Sequence, residues 1–236
     1  MVSQPHIART PGVIRRARRL DLAELVIGYG LILSVVWTPG TPQRVLYWTT
    51  FAWIAVTAWL RRKDHETNGL GLRGLVPSLW VVGLAVLIFL VAIPIARAFR
   101  TLHPLYGVVP VGLHIAGYAV WALMQQFILQ IYVLLRLLRL GMRRAPAVLL
   151  SALLFATAHI PNPLLTGLTI VWGMISCLLF LRYRNLYTLA VAHGILGMCL
   201  AVTTPNSIHH HMRVGLGYIK YHRHPHYPHH RTLISP

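Results

Sequence analysis

A chain of 236 residues in which 56% are hydrophobic and 11% are charged, with long apolar runs recurring along it, has the composition of a polytopic helical membrane protein. Helices suit such a chain because they satisfy their backbone hydrogen bonds internally. The net charge of +18 invites a nucleic-acid reading, but the basic residues lie in loops between apolar runs and form no nucleic-acid motif. They are read as solvated loops meeting anionic lipid headgroups, with the bilayer as partner and no nucleic acid.

Residues 1–20 form a basic arm with Arg9, Arg15, Arg16, Arg18 and Arg19. No small-residue cleavage site follows the first apolar run, so this is not expected to be a cleaved signal peptide. An all-α bundle is predicted over residues 21–204, with seven spans near 22–38, 45–60, 75–96, 105–135, 147–160, 163–181 and 186–204. A straight helix needs about 20 apolar residues to cross the bilayer core, and the second and fifth spans are short for that. The loop HETNGLGLRG (65–74) is rich in turn formers. In a seven-span topology the N-terminal arm, the loops at 61–74 and 136–144, and Arg182 and Arg184 share one side. They hold most of the 22 basic residues, which predicts a cytoplasmic N-terminus and a C-terminus on the opposite side.

Residues 205–236 are polar and hold most of the 14 histidines, in His209, His210 and His211 and then in HRHPHYPHH from His222 to His230. Prolines and the lack of periodicity predict a disordered tail. Weak divalent-metal binding is the most such a tail offers, because nothing in the spacing holds four ligands in one rigid geometry.

The only carboxylates are Asp21, Glu24, Asp64 and Glu66, none near the middle of a span. An aspartyl-type protease, which needs two carboxylates sharing a proton, is thereby excluded. The H-E-x-x-H signature of a zinc protease is absent, and Ser151 and Ser176 lack the small-residue setting of a rhomboid-type nucleophile. Cys177 and Cys199 read as small apolar fillers. What remains is Gln125, Gln126 and Gln130 in WALMQQFILQ (121–130), His159 at the end of the fifth span and His193 in the seventh. Amides are costly in hydrocarbon, and those that persist line a bundle interior or a functional cavity. Gln126 and Gln130 share a helix face, as do Phe155 and His159. Three helices are therefore expected to converge on a polar site. The blander reading is helix–helix hydrogen bonding worth about 1 kcal/mol per contact. His114 has no polar company and reads as a packing or interface residue. Axial haem ligation by His159 and His193 ranks last among the readings.

The order and spacing of these residues resemble the CPBP family of intramembrane proteases, the CAAX-protease and bacteriocin-processing group. Its second motif, F-x-x-x-H, is intact as Phe155 and His159 in LLFATAHIPNP. Its third, H-x-x-x-N or D, is half present as His193, with Gly197 at the amide or acid position. Its first, E-E-x-x-x-R, is represented by Gln125 and Gln126 for the glutamates and Gln130 for the arginine. The resemblance covers about residues 105–204. It implies a helical membrane bundle in a bacterial cytoplasmic membrane, no cofactor, and a water-activating group assisted by His159. The third motif would stabilise an oxyanion, and the substrates would be prenylated or other membrane-associated peptides. A glutamine amide cannot take a proton from water at neutral pH, and general-base catalysis contributes about 10²–10⁴-fold. Losing Glu and Arg together, however, removes an ion pair without stranding either partner. Two readings follow: a peptidase in which His159 is the base, with Gln125, Gln126 and His193 positioning water and carbonyl, or a non-catalytic relative binding a peptide, helix or lipid in the same cavity.

Overall fold

The computed structural model describes residues 11–60, 69–102 and 111–223, and in these the regular structure is helical. The helices are α1 (Pro11–Trp37), α2 (Thr41–Leu60), α3 (Leu75–Ala98), α4 (Val111–Gln126), α5 (Leu135–Arg139), α6 (Arg144–Thr157), α7 (Pro163–Tyr183) and α8 (Leu186–Thr203). A π-helical segment, Phe127–Leu134, joins α4 to α5 as one continuous rod. The short α9 (Asn206–His209), a 3-10 turn (His210–Met212) and α10 (Gly215–Arg223) follow.

Helices occupy all seven predicted positions. Among the described residues, five are long and apolar enough to cross a membrane: Arg15–Trp37, Leu75–Ala98, Gly112–Arg139, Pro163–Tyr183 and Leu186–Thr203. α6, with 14 residues, rises only about 21 Å at 1.5 Å per residue, short of the roughly 30 Å hydrocarbon core. α2 has the length, but Gln43, Arg44, Thr49, Thr50 and Thr57 dilute its apolar character.

Local chemistry sets the helix ends. Asn162 caps α7 by accepting from Leu165 N at 3.1 Å, with Pro163 in the first turn where its missing N–H costs nothing. Asn185 caps α8 in the same way, accepting from Thr188 N at 3.0 Å. Gly74 is obligatory where α3 begins, because a Cβ there would run into the Tyr183 carbonyl.

α6 packs on α7, α3 and α4 pack on α8, and α1 packs on α2. Small residues allow the first approach: a Cβ on Gly173 would lie 3.1 Å from Ala152 Cα. The rod from Leu129 to Leu137 is buried throughout and forms the axis of the bundle.

At one end of that axis Arg136, 1% exposed, pairs with Glu24 of α1 at 3.2 Å, and Arg139 approaches Asp21 at 3.5 Å. The Arg136 guanidinium lies 3.9 Å from the Tyr132 ring centroid, and the Tyr132 hydroxyl donates to the Glu24 carbonyl. Trp53 of α2 donates to the Tyr132 hydroxyl at 3.1 Å. Two of the carboxylates thus tie α1 to α5.

In place of the expected disordered tail, the described residues 206–223 hold α9, the 3-10 turn and α10, joined through Arg213 and Val214. The buried side chain of Asn162 donates to the carbonyls of His209 at 3.0 Å and Arg213 at 3.1 Å, and Gly215 N donates to Ile160 O at 2.9 Å. The buried Asn162 amide and its two backbone acceptors thus help to dock a polar segment whose sequence shows no core periodicity. Most of HRHPHYPHH, the start of the fourth predicted span and much of loop 61–74 lie outside the described residues.

Replacing Glu24 by Gln leaves the Arg136 guanidinium buried without its anion, a loss of about 3–5 kcal/mol. Thermal unfolding in detergent is expected to show a marked drop in Tm for Glu24→Gln and a much smaller one for Asp21→Asn, whose partner Arg139 is far more exposed.

Candidate active site

The π segment begins at the glutamines. A π-turn spaces backbone hydrogen bonds five residues apart, as from Leu135 N to Gln130 O, and such segments occur frequently at functional sites. Gln126 and Gln130 are both fully buried. Gln130 Nε2 donates to Gln126 Oε1 at 3.0 Å and to Ser176 Oγ of α7 at 3.1 Å. Gln126 Nε2 lies 3.0 Å from His193 Nδ1 of α8.

The direction of this relay follows from its far end. Ser176 uses its hydroxyl proton on the Gly173 carbonyl at 3.2 Å, so it accepts from Gln130. Gln130 then donates to the Gln126 carbonyl oxygen, which turns the Gln126 NH2 toward His193. The His193 Nδ1 is therefore an acceptor, and its neutral ring carries the proton on Nε2.

His159 is fixed in the opposite tautomer. Its Nδ1 lies 2.8 Å from the Phe155 carbonyl, which can only accept, so Nδ1 carries the proton and Nε2 presents a lone pair. The Phe155 ring meets both imidazoles edge-on, with centroids 4.9 Å from His159 and 6.0 Å from His193. Trp172 meets His193 from another side at 6.0 Å.

Both histidines, Phe155 and Gln125 line one cavity of about 740 Å³ whose walls are otherwise largely apolar. The C-terminal segment contributes Met212 and Val214 to its lining. Tyr29 of α1 adds a hydroxyl bonded to Thr157 and, at 2.9 Å, to the Leu154 carbonyl.

Of the residues singled out from sequence, Gln125, Phe155, His159 and His193 meet at the cavity. Gln126 and Gln130 do not line it; they are the buried relay behind His193. The adjacent glutamines therefore part company, because neighbouring helical positions point about 100° apart. His114 is exposed. Ser151 back-bonds to Ala147 O at 2.7 Å. Sequence reasoning dismissed Ser176 as a nucleophile and passed over its role as the relay's anchor, although an isolated serine within an apolar span was the available signal. Among the described residues no cluster of three or more His, Cys, Asp or Glu is arranged to hold a metal.

Comparison with known families gives one match. The family described as type II CAAX prenyl endopeptidase Rce1-like matches residues 107–199. This segment of the chain is Rce1-like. No curated protein and no solved structure matches the chain. The Rce1-like segment is consistent with the CPBP resemblance, and it spans α4 through most of α8, so every singled-out residue from Gln125 to His193 lies within it. Together with the five described helices long and apolar enough to cross a membrane, it makes the chain an integral membrane protein that carries a CAAX-protease-like segment. Met212 and Val214, which complete the cavity wall, fall outside the Rce1-like segment.

The relay yields a double-mutant test. Gln130→Arg alone places an unpaired charge in a fully buried site and is expected to destabilise by several kcal/mol. Gln126→Glu/Gln130→Arg pairs that charge four residues away and should recover much of the loss, read as a non-additive shift in Tm.

Proposed function

We propose that the protein is an intramembrane peptidase acting on prenylated or other membrane-associated peptides, with imidazole in place of a carboxylate as the base. The observation that carries this reading is the pair of opposite histidine tautomers on one cavity: a lone pair on His159 Nε2 and an N–H on His193 Nε2. A peptidase needs both, one to take a proton from water and one to meet the negative charge that develops on the carbonyl oxygen.

The step balances as a hydrolysis. His159 Nε2 accepts a proton from water as the water oxygen bonds to the scissile carbonyl carbon. The carbonyl oxygen takes negative charge against His193 Nε2–H and the Gln125 amide. The C–N bond then breaks as the His159 imidazolium returns the proton to the leaving amine, giving a carboxylic acid and an amine. The Gln126–Gln130–Ser176 relay holds the His193 tautomer through its Nδ1, the part an orienting partner plays for many catalytic imidazoles. The apolar walls suit a lipid-modified or helical peptide. The excess of basic residues on one side supports an N-terminus facing the cytoplasm.

A second reading rests on a specific residue. Gln125, where the family motif has glutamate, lines the cavity without a group able to accept a proton. A protein that only binds a peptide, helix or lipid there would need nothing more.

Cleavage of prenylated and transmembrane peptides by pure protein in liposomes separates the two. Wild-type hydrolysis is expected, with a loss of about 10²–10⁴-fold in His159→Ala and a smaller loss in Gln125→Ala. Silence from wild type, with hydrolysis restored by Gln125→Glu/Gln126→Glu/Gln130→Arg, would leave the cavity to the binding reading.

A further inference from the structure

The third motif of the resemblance lacks its amide or acid because position 197 is glycine, yet the space beside it is filled. A Cβ on Gly197 would overlap the Tyr118 hydroxyl and lie 2.7 Å from its ring carbon Cζ. Tyr118 reaches that point from α4, which packs directly on α8. It stands seven residues before Gln125, two turns along the same helix face, and both line the cavity. Gly197 stands one turn after His193 on α8 and lines it as well. Gly194 assists the approach: a Cβ there would lie 3.7 Å from Ala122, so α4 and α8 meet through small residues on this face.

The hydroxyl is not committed elsewhere. Among the described residues no hydrogen bond engages it, and it is not one of the sealed polar atoms of the interior. This is unlike Tyr29, which is held by Leu154 and Thr157, and Tyr132, which is held by Glu24 and Trp53. A phenol on an otherwise apolar cavity wall, accessible and with its O–H not engaged by protein, is a donor available to a ligand's acceptor.

We propose that the Tyr118 hydroxyl supplies, from α4, the hydrogen-bond donor that the third motif would otherwise supply from α8, and that it binds the carbonyl oxygen of the peptide in the cavity. The inference rests on the proposed function for the identity of the ligand as a peptide. The two are separable, because carbonyl recognition does not require that the bond be cut. Glycine at 197 is then the condition for the phenol to enter, and the pair amounts to one polar group moved between helices. Gln125 and His193 line the same cavity, so the phenol adds a further donor to it, with polar groups contributed by both α4 and α8.

The test uses full-length protein in nanodiscs and two probes: a farnesylated tetrapeptide, and its analogue in which the scissile carbonyl is reduced to a methylene. Wild type is expected to prefer the carbonyl peptide, and Tyr118→Phe to lose about tenfold of that preference while binding the reduced analogue unchanged and keeping its Tm. If wild type cleaves, the same variant should lower kcat by about 10²–10³-fold. Gly197→Asn alone should fail through the clash, and Tyr118→Ala/Gly197→Asn should recover the preference by returning the donor to α8.

A Tyr118→Phe variant that keeps the full carbonyl preference overturns the inference, as does a wild type with no preference at all. Carbonyl preference without cleavage, lost in Tyr118→Phe, upholds the inference and removes only the peptidase reading. Equal weakening of both probes together with a fall in Tm would mean that Tyr118 merely packs α4 against α8, and would also overturn it.

Discussion

A polar side chain inside an apolar helical bundle is costly without a partner, and in this protein a line of hydrogen bonds from Ser176 through Gln130 and Gln126 to His193 links the buried amides, leaving Gln130 Oε1 without a protein partner. The line joins α7, the central rod and α8. Because Ser176 spends its proton on the Gly173 carbonyl, each later group has one permitted orientation. A backbone contact on α7 thereby determines which nitrogen of a histidine on α8 bears a proton. The two histidines of the cavity then offer complementary chemistry although they are the same residue type.

The same line shows how neutral residues can occupy the positions where the resembled motif has charges. Glutamine copies the shape of glutamate, and a second glutamine at the arginine position continues the hydrogen-bond pattern without any ion to desolvate. Only one glutamine, Gln125, is left to face the cavity. The charges that this chain does bury lie elsewhere. Arg136 and Glu24 pair where the rod leaves the bundle, braced by Tyr132 and Trp53. Cavity and anchor thus occupy the same rod with opposite solutions, neutral amides behind the cavity and an ion pair at the terminus.

The cavity wall is completed by a segment beyond the Rce1-like match. Asn162 caps α7 with its side-chain oxygen and binds two carbonyls of the C-terminal segment with its nitrogen. One residue therefore links the loop after His159 to the strap that carries Met212 and Val214. The position of His159 and the closure of the cavity share this support, so a change at Asn162 would reach both.

Apolar runs and the scatter of arginines were enough to establish a helical membrane bundle, because burial in lipid constrains composition more strongly than it constrains packing. That Gln125, Phe155, His159 and His193 would come together was legible for a related reason: polar groups in hydrocarbon are rare, and their spacing matched a known pattern. The division between Gln125 and Gln126 was not legible, since it depends on which helix faces each side of the rod and on the π-turn that sets its rotation. The helical C-terminal segment escaped notice because its docking rests on backbone carbonyls, which carry no residue signature. Tyr118 escaped for a similar reason: only a neighbouring helix brings its hydroxyl to Gly197. Composition and periodicity are properties of one helix at a time, and they determined what this chain is made of. Which polar atoms meet is a property of pairs of helices, and only the tertiary structure decided it.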